Sequence, residues 1–200
     1  MISYKNENLT SIDEGFLWNN IFLRKIDLPN ASTISDEFLY NNTEISEINI
    51  PNAIKIGKFF LQKNDKLREI NLPKVIEVDN HFLRTNYNLQ KIDLPSVQYI
   101  GNDFLLLNKE LKKLNLPNVK VIGDNFLYFN EQINKVNLQN VEQIGINFLF
   151  SNISLQEISF PKVKTIGINH LFNNTKTKKI WFNLVCNYNK KIKSKILSLK

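Results

Sequence analysis

The sequence predicts an α/β solenoid, one elongated domain of stacked units that combine short extended strands with short helical turns. Three observations carry that reading. A 22-residue register runs along the chain without insertion or deletion, as in the stretch Leu111 to Gln132, LKKLNLPNVKVIGDNFLYFNEQ. Every proline falls in one column, Pro29, Pro51, Pro73, Pro95, Pro117 and Pro161. Five of the six glycines fall in another, Gly57, Gly101, Gly123, Gly145 and Gly167, with Ser35 and Asp79 in the same column elsewhere. A fixed period in the twenties marks units that cannot bury a core alone and acquire one by stacking.

Each part of the unit follows from its residues. Leu114 and Leu116 are two apart and share one face of an extended segment, while Lys113 and Asn115 point the other way. Pro117 ends that strand because it cannot donate to a ladder. Val119 and Ile122 form a second short extended piece. Gly123 is expected to supply a tight turn with positive φ, where Ser35 and Asp79 are tolerable substitutes. Asp124 or Asn125 is placed to cap a short helical turn carrying Phe126, Leu127 and Asn130, the first and last of which share a helical face. Phe recurs at Phe16, Phe38, Phe60, Phe82, Phe104, Phe126 and Phe148, with His170 at the next step, and Leu follows each time. Asn recurs from Asn20 through Asn130 to Asn174, where an inward amide can satisfy turn backbone that would otherwise be buried unpaired.

The unbroken register gives residues 1–189 as one solenoid of about eight units plus a partial unit, and residues 190–200 as a basic amphipathic capping helix, with Ile192, Ile196 and Leu199 at helical spacing. The net charge of +7 resides in the last 25 residues, which hold eight lysines and no acid. That tail reads as a solvated cap, with contact to nucleic acid or an anionic membrane as the other reading. No run of apolar residues is long enough to span a bilayer, and MISYKNENLT lacks a signal-type apolar stretch, so a cytoplasmic location is the expectation, with a surface location by a non-classical route left open. Cys186 is the single cysteine and forms no internal disulfide.

The residues Leu89, Ile92, Leu94, Pro95, Val97, Ile100, Gly101, Phe104 and Asn108 resemble the leucine-rich repeats of the BspA-like class. The loop between Pro95 and Val97 is one residue shorter than the pattern of that class, and Asn108 stands where the class has cysteine. The resemblance implies a parallel sheet on a concave side, short strands and helical turns opposite, and a protein-binding scaffold, with a surface-associated adhesin as the alternative.

Two surfaces are candidates for such binding. On the concave side, Lys91, Lys113 and Lys135 stack like charges, which destabilises neighbouring strands unless something neutralises them, while Lys25 with Glu47 and Glu69 with Lys91 can pair. With Asp93, Asn115 and Asn137 from the parallel column they are the candidate site for an acidic protein partner, with a plain solvated face and a self-satisfied asparagine ladder as the other readings. On the opposite side, Leu106, Tyr128, Phe150 and Phe172 form an apolar column expected to project outward. No phosphate-cradling loop, metal-ligand cluster or nucleophile and base pair stands out, so the sequence predicts no catalysis, no small-molecule substrate and no cofactor.

Overall fold

The computed structural model describes residues 2–181; the expected capping helix at 190–200 and Cys186 lie outside that range. Two kinds of parallel strand alternate along the chain: β1 (Ile2–Lys5), β2 (Ser11–Ile12), β3 (Leu23–Asp27), β4 (Thr33–Ile34), β5 (Glu47–Asn49), β6 (Lys55–Ile56), β7 (Glu69–Asn71), β8 (Glu77–Val78), β9 (Lys91–Asp93), β10 (Tyr99–Ile100), β11 (Lys113–Asn115), β12 (Val121–Ile122), β13 (Lys135–Asn137), β14 (Gln143–Ile144), β15 (Glu157–Ser159), β16 (Thr165–Ile166) and β17 (Lys179–Trp181). The two-residue strands β2 to β16 form one uninterrupted eight-stranded sheet. The longer strands form the other face, divided into the groups β1-β3-β5, β7-β9 and β11-β13-β15-β17.

The core lies between these faces. The Phe column from Phe38 to Phe148 is fully buried, and successive rings stack at centroid distances of 5.2 to 5.6 Å. Ile, Leu and Val from the strands and from the proline-flanking loops complete one continuous cluster. No unit could assemble such a core alone, because each ring finds its aromatic partners one turn above and one turn below.

The expected helical turns do not form: among the described residues there is no α-helix. In each turn the chain instead places three alternate residues in the left-handed region. Glu37, Leu39 and Asn41 have φ of 60°, 51° and 56°, and the same three columns repeat through Asn169, Leu171 and Asn173 at 59°, 52° and 59°. A left-handed non-glycine residue costs about 1–2 kcal/mol, so something must impose it. The imposing factor is hydrogen bonding along the stack. Glu37 N–H donates to the carbonyl of Lys58 one turn ahead, Leu39 N–H to Phe16 one turn behind, and Asn41 N–H to Gln62 ahead again. Alternating handedness flips successive peptides so that their N–H groups point up and down the solenoid. A helix would have spent the same donors within its own turn and left the neighbouring turns unbonded.

The glycine column also has a different cause from the one expected. Gly57, Gly101, Gly123, Gly145 and Gly167 do not have positive φ; they are required by close approach. A Cβ on Gly101 would lie 2.7 Å from Asn80 Oδ1, and one on Gly123 would lie 2.5 Å from Asn102 Oδ1. Those oxygens are occupied, since Asn80 Oδ1 accepts from the Asn102 N–H at 2.7 Å and Asn102 Oδ1 from the Asp124 N–H at 2.8 Å. Asp36 and Asp124 make the same link to Lys58 and Ile146. Wherever Asp or Asn makes this link, the residue facing it in the next turn is glycine. Ser35 and Asp79, which carry a side chain there, follow turns that hold Glu14 and Lys58 instead. Asp124, expected as a helix cap, therefore serves as a link between turns.

The asparagine column forms the inward ladder that the sequence predicts. Asn130 is fully buried; its Nδ2 donates to the Leu105 carbonyl at 2.8 Å and its Oδ1 accepts from the Asn108 N–H at 3.0 Å. The main-chain link to the next amide runs from Asn42 to Asn64 to Asn86 and again from Asn108 to Asn174, but Asn108 Oδ1 is buried without a partner. Substituting Asn130 by Ala strands a buried carbonyl and a buried N–H, whereas Asn108→Ala strands only the Leu83 carbonyl. At about 1–3 kcal/mol for each orphaned group, urea denaturation is expected to show Asn130→Ala as the costlier change by about 1–3 kcal/mol; equal losses would remove the ladder as the explanation.

Candidate functional site

The longer strands present two outward columns, because residues two apart share a face. One column runs Lys25, Glu47, Glu69, Lys91, Lys113, Lys135, Glu157, Lys179, and the other runs Asp27, Asn49, Asn71, Asp93, Asn115, Asn137, Ser159, Trp181. The six residues expected to make the acidic-partner site, Lys91, Asp93, Lys113, Asn115, Lys135 and Asn137, all belong to strands of this face.

Register decides how their charges meet. Lys25 faces Glu47 across β3 and β5 and binds it at 2.8 Å. Glu69 and Lys91 are register partners, yet no ion pair joins them among the described residues. Lys113 and Lys135 are register partners, but Lys135 is neutralised by Glu157 at 3.0 Å, which also meets Lys179 at 3.5 Å. Lys91 and Lys113 lie on either side of the division between β9 and β11, and neither makes an ion pair among the described residues. The continuous three-lysine stack expected from the sequence is thus one registered pair and one pair across an open seam.

The second column is partly self-satisfied. Asn49 Nδ2 donates to Asp27 Oδ1 at 2.7 Å, and Asn137 Nδ2 to Asn115 Oδ1 at 2.8 Å. Among the described residues no such bond links Asn71, Asp93 and Asn115. Beside a groove of about 790 Å³ that includes Arg24, Arg68, Glu69, Gln90 and Lys91, two smaller ones lie on this face. One, of about 460 Å³, includes Lys25, Glu47, Glu69, Lys91 and Asp93; the other, of about 350 Å³, includes Lys135, Asn137, Gln139, Glu157 and the exposed Trp181. Lys113 and Asn115 line neither. Column reading alone missed Gln139, which bridges Asn137 and Ser159 and lies outside the strand.

The apolar column on the turn face is exposed only in part. Leu106 is buried, Tyr128 and Phe150 are half-buried, and Phe172 is exposed. The Tyr128, Phe150 and Phe172 rings stack at 4.7 and 4.8 Å, and Phe129 packs edge-on against Tyr128. Leu106 shares its column and turn backbone with half-buried Tyr128 and exposed Phe172 and lies outside the central apolar cluster, so it is covered on the turn face rather than turned into the core.

His81 Nδ1 lies 2.9 Å from Asp103 Oδ2, and its ring stacks on Phe59. Four turns away, His170 Nδ1 lies 3.1 Å from the Gly167 carbonyl. The described residues contain no group of three His, Cys, Asp or Glu side chains placed to hold a metal, and no helix long and apolar enough to cross a membrane.

The Lys135 hydrogen bond, followed by the charges of Lys135 and Lys179, lowers the Glu157 carboxyl below its ordinary range. A depressed carboxylate stabilises the fold above the ordinary carboxylate range and loses that contribution as pH falls through its folded value. Lys135→Gln is therefore expected to move the Glu157 titration upward toward that ordinary range, read by NMR of its side-chain carboxyl; an unmoved titration would show that Lys135 does not set it.

None of the curated proteins compared matches the chain. Among solved structures, a leucine-rich repeat protein from Bacteroides ovatus is similar, with a TM-score of 0.67 and 20% identity over 90% of this chain. The chain spans 55% of that protein's length. The family model described as BspA type leucine rich repeat region matches residues 2–90 and 77–198, in six copies. With stacked parallel strands, a 22-residue turn and a match over nearly its whole length, the chain belongs to the BspA-type leucine-rich repeat family.

Proposed function

We propose that this chain is a non-catalytic protein-interaction scaffold that binds an acidic segment of another protein on the face made by the longer strands. The observation that carries the reading is the central basic stretch of that face. Lys91 and Lys113 are exposed and lack ion pairs among the described residues, as does Glu69, the register partner of Lys91, while Glu47 is engaged by Lys25 and Glu157 by Lys135 and Lys179. Charge on a surface that is not engaged in ion pairs favours and orients an oppositely charged partner. Membership in a repeat family whose members generally act as scaffolds supports the same reading.

A second reading, a surface-associated adhesive module, rests on the BspA-type family itself. It would use the aromatic strip, where exposed Phe172 and Phe129 flank the stacked Tyr128 and Phe150 rings. Salt separates the two surfaces, since an interface of charges weakens as added salt screens them and an apolar one does not.

Capture from native lysate by the intact chain is compared with capture by a Lys91→Glu, Lys113→Glu, Lys135→Glu variant and by a Tyr128→Ser, Phe172→Ser variant. A partner lost only by the first variant, and released by raised salt, is the expected result. Retention by that variant and loss by the second would move the binding site to the aromatic strip.

A further inference from the structure

The sheet of longer strands is not divided at random. Opposite charges face each other at Lys25 and Glu47, Glu69 and Lys91, Lys135 and Glu157, and Glu157 and Lys179, and at all four the sheet is closed. The two divisions fall where like charges meet, Glu47 with Glu69 between β5 and β7, and Lys91 with Lys113 between β9 and β11. One like-charge contact is closed, Lys113 with Lys135, and there Glu157 holds the second ammonium at 3.0 Å. At Lys113 and Lys135 a carboxylate on one lysine thus accompanies a closed ladder; at Glu47 and Glu69 the ladder is open although Lys25 holds Glu47 at 2.8 Å, and at Lys91 and Lys113, where neither ammonium is in an ion pair among the described residues, it is open too.

At the β9 and β11 seam a second ladder is open as well. The carbonyls of Arg24, Arg68, Lys112, Asn134 and Gln156 each accept an N–H from the next turn; among the described residues no such bond joins the Lys112 N–H to the Gln90 carbonyl, nor the Arg68 N–H to the Ser46 carbonyl at the other division. The opposite face stays intact there, with β10 paired to β12, Asn102 N–H on Asn80 Oδ1, and Phe82 stacked on Phe104 at 5.4 Å. The junction is therefore open on one side and fastened on the other. Asp93, two residues along β9 from Lys91, makes no ion pair with either lysine among the described residues.

We infer that this seam is a carboxylate-operated joint: an acidic side chain of a protein partner seats between the Lys91 and Lys113 ammonium groups, takes the part that Glu157 takes at Lys135, and closes the ladder between β9 and β11. The inference rests on the reading of this face as an acidic-partner surface and deepens it by naming the point of contact and its structural consequence. Binding and bending are then coupled, because a ligand that relieves the repulsion favours the closed state over the open one. Opening at one junction, with the opposite sheet acting as the pivot, changes the angle between the two halves of the solenoid.

Amide hydrogen exchange on the full chain at low ionic strength tests this. The Lys112 amide is expected to exchange faster than its equivalent Asn134. Lys113→Glu, which places a carboxylate beside both Lys91 and Lys135, is expected to slow Lys112 exchange about fivefold, the scale of one cross-strand charge pair. Lys91→Gln, which removes one charge and adds none, is expected to slow it less. An octaglutamate peptide is expected to slow Lys112 exchange in the natural chain and to have no effect on Lys113→Glu. Unchanged Lys112 exchange in both variants, each folded by circular dichroism, would overturn the joint. Slowing by inorganic phosphate without slowing by octaglutamate would overturn the assignment to a carboxylate. A partner lost by the triple lysine variant while Lys112 exchange is indifferent to every change would leave the binding face standing and the joint refuted; closure by octaglutamate with no partner captured would do the reverse.

Discussion

Hydrogen bonds directed along the stack constrain everything else in this solenoid. A turn of 22 residues buries most of its backbone, and buried N–H and C=O groups must be paired. With no helix among the described residues, short bonds within the turn such as Tyr40 N–H to the Glu37 carbonyl satisfy a few, and most partners lie one turn above and one turn below. The left-handed backbone at three residues per turn follows, as only alternating peptide orientation sends donors in both directions. The buried asparagines and the Asp and Asn links follow too, each supplying an oxygen where the main chain of the neighbouring turn lacks one. Glycine is then needed opposite those oxygens for want of space.

Close stacking has an electrostatic consequence on the exposed strand face. Parallel strands about 4.8 Å apart hold equivalent side chains in one column, so each charge is measured against the same position one turn away. Opposite charges reinforce the ladder, and like charges act against it by about 0.2–1 kcal/mol per contact. The effect is small beside the stacked phenylalanine core, which is why the solenoid stays continuous while its outer ladder divides. The same weakness lets a ligand decide the matter.

The two faces offer different means of recognition. The strand face is polar, with lysines at its centre and engaged acids on either side, an arrangement that selects a partner by charge and register. The turn face offers stacked aromatic rings at one end of the molecule, where contact would be apolar and tolerant of salt. Membership in the BspA-type family is consistent with a scaffold using either face and does not choose between them.

The period, the buried Phe, Leu and Asn columns and the parallel strands were legible in the residues alone, because stacking forces each equivalent position to meet the same environment and hence to hold the same residue type. The lysine column was legible for the same reason. Helical turns were the natural reading of Phe126, Leu127 and Asn130, since sequence spacing reports which side chains share a face but not where backbone donors point. Only the tertiary structure shows that the donors leave the turn, that glycine answers to an oxygen of the preceding turn, and that Leu106 is covered on the turn face. Only register shows that Lys135 is neutralised while Lys91 and Lys113 are not. Contact between turns fixes those features, and a local window of sequence contains one side of each contact.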